Sequence, residues 1–287
     1  MRILRADSAL KYWFFKVNAG PIALLVDWIV YSQRHEQWMR ISIHTPTRRT
    51  VLVDRTSAAG TRSFLTSRHT AGSHGEVQWN LAIEDGDRWL VPDIFPARAT
   101  HMPDLILATA PRSVFRGWIT YDGQRFGVEA APGVLSHYWG RQLAPSWWWA
   151  AAHQFDRPDV VVECSVMRSH LWGSPMRLPL GYLYLRDGTR ELLLMSPPNR
   201  IRVNGTPAAF TIEFRRWLRP SIILRAVGSD YGDLGDRIVN TLVGNLEVWE
   251  GRRLLAHAAG TAALERRAPD AHDSLLSRST IDKAAGH

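Results

Sequence analysis

Apolar and polar residues alternate with a period of two along much of this chain. The runs Trp38-Met39-Arg40-Ile41-Ser42-Ile43-His44 and Thr211-Ile212-Glu213-Phe214-Arg215-Arg216-Trp217 are clear cases, and this is the spacing of a strand with one face buried. Between such runs stand Asp85-Gly86, Asp122-Gly123, Asp187-Gly188, Asn204-Gly205 and Glu250-Gly251. Asp-Gly and Asn-Gly accept the positive φ angles of tight hairpin turns. The pattern predicts residues 114–121 returning as 124–129, 181–186 as 190–195, 200–203 as 208–215, and 246–250 as 252–258. Helical spacing is scarce: residues 233–242 suit a short helix and 256–267 have some helical propensity, neither with three convincing turns. The expectation is an antiparallel all-β protein, barrel or sandwich, with few short helices. A chain of 287 residues overfills one eight-stranded barrel. Two consecutive β-domains fit better, 1–132 and 133–267 with the join near Ala131-Pro132-Gly133, and a tail over 268–287 that is expected to fray.

Composition sharpens this. With 45% hydrophobic and 22% charged residues the chain can bury a sizeable core and is neither disordered, collagen-like nor a charged coiled coil. Thirteen tryptophans are an excess, and Trp139, Trp147, Trp148 and Trp149 cluster, which favours a cavity or surface for an apolar, aromatic or cationic partner. The net charge of +8 says less: Lys11, Lys16 and Lys283 are the only lysines among 35 basic residues, and the arginine pairs are scattered. No nucleic-acid motif accompanies the charge, so no nucleic-acid partner is expected. Cys164 is the single cysteine and reads as a small buried hydrophobe. The N-terminus lacks the pattern of a signal peptide, and the longest apolar run, residues 21–30, is about half a membrane span. A cytoplasmic protein is expected, without a transmembrane segment but with room for a transient membrane-surface contact.

Two segments carry candidate chemistry. In the N-terminal hairpin, Asp27 lies beside Trp28 in a strand apolar on both faces, where burial would raise its pKa toward that of a general acid; a hydrogen-bonded structural Asp is the competing reading. The densest segment is Ser136-His137-Tyr138-Trp139-Gly140, then Ser146-Trp147-Trp148-Trp149 and His153-Gln154-Phe155-Asp156. In extended chain Trp147 and Trp149 share a face, as do His137 and Trp139, so two such strands could set indoles and polar groups around a ligand. Three consecutive tryptophans cannot all face one side, so part of this cluster belongs to a core or interface. Glu163, between Val162 and Cys164, points either to solvent or into a polar lumen. The candidate acids are therefore Asp27, His137, Asp156 and Glu163. Candidate substrate contacts are Trp28, Tyr138, Trp139, Trp147, Trp149, His153, Gln154 and Phe155. His137 and His153 have no third ligand at a recognisable spacing, so no metal is expected; no phosphate loop, nucleophile elbow or dinucleotide fingerprint is present.

The central segment resembles the lipocalin-like family that includes hydroxyneurosporene synthase (carotenoid hydratase), AttH-type proteins and, more distantly, tocopherol cyclase. The strand Trp13-Phe14-Phe15-Lys16 and the stretch from Gly244 to Glu265 are similar in style. The resemblance implies two consecutive lipocalin-like β-domains with a hydrophobic pocket between or within them. It further implies addition of water to, or cyclisation of, isoprenoid double bonds by protonation, with no cofactor. One departure is Tyr138, which stands where that family usually has an Asn before Trp-Gly. The expected function is a cofactor-independent cyclase, hydratase or isomerase of an apolar terpenoid or polyketide-derived molecule. The rivals are a lipocalin-like carrier that does no chemistry and an interaction protein whose indoles face a partner.

Overall fold

A computed structural model describes residues 10–32, 36–57, 63–85, 90, 105–140, 143–170, 177–196 and 198–268. The 268–287 tail lies outside these apart from Ala268, as do Trp89 and Trp172.

The first sheet holds β1 (Leu10–Ala19), β2 (Ile22–Tyr31), β3 (Glu36–His44), β4 (Arg49–Ser57), β5 (Phe64–Leu65), β6 (His69–His74), β7 (Val77–Glu84), β8 (Leu105–Tyr121) and β9 (Gln124–Gly140). Its order is β4-β3-β2-β1-β9-β8-β7-β6-β5, antiparallel throughout. The second sheet holds β10 (Ser146–Ala152), β11 (Val160–His170), β12 (Arg177–Asp187), β13 (Arg190–Ser196), β14 (Arg200–Gly205), β15 (Ala209–Arg215), β16 (Ile222–Val227), β17 (Gly232–Asp233), β18 (Ile238–Glu250) and β19 (Arg253–Arg267). Its order is β13-β12-β11-β10-β19-β18-β16-β15-β14, with β17 paired to β18. The outermost strands β13 and β14 follow each other in the chain through a turn in which the Asn199 amide donates to the Met195 carbonyl at 3.1 Å. That turn brings the two edges of the second sheet together and nearly closes it into a barrel. Ala131-Pro132-Gly133 lies inside β9, and the change of sheet falls between Gly140 and Ser146.

The turn residues behave as their chemistry requires. Asp122 and Gly123 take φ of 51° and 73° between β8 and β9, and Gly188 and Gly251 each take 62° in their hairpins. Asp85-Gly86 is the exception: Glu84 pairs with Val114, so a long connection and not a tight hairpin follows it. No helix occurs among the described residues. Residues 233–242 are broken by left-handed backbone at Gly235, Asp236 and Arg237 before β18 begins. Residues 256–267 lie in β19, paired to β18 on one side and β10 on the other. Two ladders outweigh the modest helix preference of its alanines.

Strand register decides where the chemistry sits. Pairing of Tyr12 with Ile29 and Tyr138, Phe14 with Asp27 and Ser136, and Asp27 with Arg40 puts these residues on one face of the first sheet. Trp13, Phe15, Trp28, His137 and Trp139 share the opposite face, where Trp13, Phe15 and Trp28 pack with Trp79 and Phe115 in that sheet's own core. On the second sheet, Trp149 pairs with Ser165 and Glu265, and Ala151 with Glu163, all on one face. Trp148, Cys164 and Leu264 face its internal core. The two remaining faces pack together, and a third core of Tyr12, Phe14, Leu25, Tyr138, Trp147 and Trp149, with their neighbours, fills the space between them.

Candidate active site

The interface between the sheets is unusually polar for a buried layer. Asp27, Glu163, Arg40 and Lys16 are fully inaccessible and Glu265 is 5% exposed. Each buried charge must be paired, hydrogen-bonded or neutralised, and the side chains around them divide into three groups.

The first group surrounds a small cavity of about 30 Å³. Tyr12 and Phe14 of β1, Leu25 of β2 and Tyr138 of β9 form one wall; Trp147, Trp149, Ser165, Met167 and Glu265 form the other, with Leu143 and Ala144 from the link between sheets. The rings pack tightly: Tyr12 lies 5.5 Å from Tyr138, and Trp149 meets Phe14 edge-on at 5.2 Å. Glu265 is the carboxyl in this lining. Trp147 Nε1 donates to its Oε1 at 2.8 Å. Burial raises the Glu265 pKa to about 7; the Arg40 charge opposes this, Asp27 adds to it, and hydrogen bonds from Trp147 and Asn240 oppose it.

Behind Tyr12 lies the pair Asp27–Arg40. Arg40 Nε donates to Asp27 Oδ1 at 2.8 Å and Oδ2 at 3.2 Å, and the Tyr12 hydroxyl donates to Oδ2 at 3.3 Å. Burial pushes the Asp27 carboxyl upward, and the guanidinium beside it holds the charged form. Burial works against the Arg40 charge as well, but the Asp27 charge keeps its pKa above the ordinary value. Arg40 Nη1 and Nη2 have no hydrogen-bond partner among the described residues, and the Glu265 charge acts on this guanidinium.

A second group, behind Trp149, centres on Glu163. Thr109 Oγ1 donates to its Oε2 at 2.5 Å, Ser136 Oγ to Oε1 at 3.2 Å and Trp149 Nε1 to Oε1 at 3.4 Å. Burial raises this carboxyl too, and hydroxyls and indole together pull it down. Because Thr109 and Ser136 belong to the first sheet and Glu163 to the second, the carboxyl fastens one sheet to the other.

The third group lies at the far end of the interface. Lys16 Nζ and Asn18 Nδ2 donate to the Thr261 carbonyl at 3.2 and 2.9 Å, and Thr261 Oγ1 donates to the Gln154 carbonyl at 2.7 Å. Burial alone lowers the Lys16 pKa to about 7. His153 Nε2 contacts the Pro111 carbonyl at 2.9 Å, and burial followed by the Lys16 charge keeps its ring neutral.

Of the residues singled out from the sequence, the structure brings Tyr138, Trp147 and Trp149 to the cavity, with Asp27 and Glu163 one layer behind. It places the others elsewhere. His137 stacks on Trp13 at 4.7 Å, on the face turned away from the cavity, and burial followed by the Lys11 charge lowers its pKa to about 4. Trp139, 4.9 Å from His137, and Trp28, whose Nε1 donates to Ser63 Oγ at 2.9 Å, lie on that same face. His153 and Gln154 belong to the third group, and Phe155 packs on the core of the second sheet. Asp156 is exposed and accepts from the His257 amide at 2.9 Å, which ties the segment after β10 to β19.

Glu265 and Arg40 escaped the sequence reading. Glu265 follows Ala262-Ala263-Leu264 and carries the same signal as Asp27, an acid in an apolar strand, which a helical reading of that stretch hides. Arg40 lies on the polar side of the alternating β3, a side that reads as solvent-facing until the second sheet covers it.

No protein-family model and no curated protein matches this sequence. Solved structures do match its fold. The crystal structure of a protein assigned as AttH from Nitrosomonas europaea superposes with a TM-score of 0.63 at 11% identity, covering 92% of this chain and 93% of that one. Kievitone hydratase from Nectria haematococca superposes with a TM-score of 0.64 at 8% identity, over 90% of this chain and 88% of that one. The chain thus has the all-β, two-sheet lipocalin-like architecture of these proteins.

Proposed function

We propose that this protein is an acid-catalysed hydratase, cyclase or isomerase of an apolar, alkene-bearing small molecule of terpenoid or polyketide origin, and that Glu265 is its acid. The observation that carries this reading is one carboxyl with a pKa near 7, in an aromatic cavity, with one oxygen held by an indole. Near neutral pH such a group is partly protonated, which suits a general acid. Kievitone hydratase, whose fold this chain shares, is by its name a hydratase.

In this scheme Glu265 gives its proton to one alkene carbon; a C–H bond forms and the O–H bond breaks. Positive charge develops on the other carbon, where the faces of Trp147 and Trp149 and the rings of Tyr12 and Tyr138 attract it. Water attacks that carbon and returns its proton to the Glu265 carboxylate, for a net gain of one water. Attack by a second double bond instead gives a ring, and loss of a neighbouring proton gives an isomer; in each the carboxylate takes the proton back. Arg40 and Asp27 set the charge behind the acid, and no step needs more than side chains, substrate and water.

The test is to incubate the protein with a panel of acyclic isoprenoid alkenes and polyenes in isotopically labelled water and follow products by mass spectrometry. Glu265→Gln is expected to lower turnover by about 10²–10⁴-fold while ligand binding survives. Wild-type turnover in that variant would place the acid elsewhere. Binding without conversion by the wild-type protein would favour the carrier.

A further inference from the structure

At the end of the second sheet's barrel opposite the cavity, β15 ends at Arg215 and the turn to β16 carries Arg216-Trp217-Leu218-Arg219-Pro220. Trp217 is 88% exposed and Leu218 91%, far more than any other large apolar residue among those described. The backbone presents them at some cost, since Leu218 sits at φ 53°, a conformation that a leucine rarely adopts. Neither ring nor leucyl side chain supports the fold, so stability gives no reason for their presence. Adjacent exposed apolar residues of this kind mark a contact with something outside the molecule.

The surroundings say what that is. Pro220 lies against Gly251, whose amide donates to the Ser221 carbonyl at 2.8 Å, so the β18–β19 turn stands beside the tip. The acids nearby are already engaged: Glu250 by Arg190, Arg216 and Arg253, Glu213 by Arg215, and Asp187 by Arg157. Arg219 at the tip, Arg252 on the neighbouring turn and Arg200, paired with Arg215 across the β14–β15 ladder, have no acidic partner among the described residues. An indole and a leucine that project beyond a ring of cations complement the boundary of an anionic bilayer. Tryptophan there places its ring at headgroup level, leucine reaches the acyl chains, and arginines meet the lipid phosphates.

We propose that the 216–220 turn is a docking tip for an anionic lipid surface. Trp147 and Glu265 lie toward the opposite end of β10 and β19 from this tip, because β19 runs from Arg253 beside it to Arg267 beside Trp147. Docking therefore leaves the cavity clear of the membrane, and loss of the tip leaves the cavity intact.

Sedimentation of the full-length protein with phosphatidylglycerol and with phosphatidylcholine vesicles tests this. Binding is expected to the anionic vesicles only and to weaken as salt is raised. Trp217→Ala with Leu218→Ser should weaken it about tenfold or more, and Arg219→Glu should weaken it independently, each with an unchanged melting curve. Absence of binding to anionic vesicles, or binding indifferent to both variants, overturns the proposal. So does concentration-dependent dimerisation that the Trp217→Ala variant abolishes in a protein that ignores vesicles, since the tip then meets a second copy of this chain.

Discussion

Glu265 shows how far one residue's environment departs from its chemistry in water. Its pKa rises from 4.5 to about 7 on folding, so the folded state holds its proton more tightly than the unfolded chain. A carboxyl shifted in this direction stabilises the fold fully below pH 4.5, and that contribution is lost as pH rises through 7, about 3 kcal/mol in all. Glu265→Gln removes the dependence. The melting temperature of the wild-type protein should therefore fall relative to that of the variant between pH 5 and pH 8; parallel profiles would contradict the shift. Lys16 carries the opposite sign. Its folded pKa, lowered by burial from 10.5 to about 7, makes the fold progressively less stable as pH falls from 10.5 toward 7. In Lys16→Met the gain in melting temperature over wild type should be larger at pH 6 than at pH 9. Local sequence could flag Asp27, because both faces of its strand are apolar. It could not flag Lys16 or Arg40, because a long cation on an alternating strand is ordinarily solvated.

At the scale of elements, hairpins were legible because positive-φ turn residues and period-two alternation are local properties. Register and the order of non-consecutive strands are not local. The long strands β8 and β9 bend at Ala130, with φ of 51°, and at bulges between Ala110 and Ser113 and between Phe115 and Gly117. Just beyond the bend, β1 packs so closely on β9 that a side-chain carbon on Gly133 would strike the Lys16 carbonyl and the Phe115 ring. Gly133→Ala should thus cost roughly 1–3 kcal/mol in chemical denaturation, with the slope unchanged. A neutral effect would mean that the β1–β9 ladder yields more easily than its register implies. The alanine-rich β19 teaches the converse, since its composition favours a helix while two flanking ladders make it a strand.

For the whole molecule, the decisive feature is the layer between the sheets. Glu163 bonded to Thr109 and Ser136, Lys16 and Asn18 bonded to Thr261, and Arg49 bonded to Asn240 at 2.8 Å fasten that layer at three places. Separation would expose the aromatic core and strip those charged and polar groups of their partners, a loss of about 1–3 kcal/mol for each buried group left unsatisfied. The two sheets should consequently unfold together, as a single calorimetric transition whose van't Hoff and calorimetric enthalpies agree. Two resolved transitions would show that each sheet stands alone.

By itself the sequence determined the all-β class, the antiparallel hairpins and an aromatic-rich centre, because turn chemistry and alternation act over a few residues. It also held the signal that Asp27 is a desolvated acid. Only tertiary structure decided which of the two faces of each strand meets the other sheet. That choice joined Tyr12, Trp147, Trp149 and Glu265 around one cavity and sent His137, Trp28 and Trp139 to the far side of the same sheet. The physical reason is that alternation tells which residues share a face, whereas what covers the face depends on strands distant in the chain.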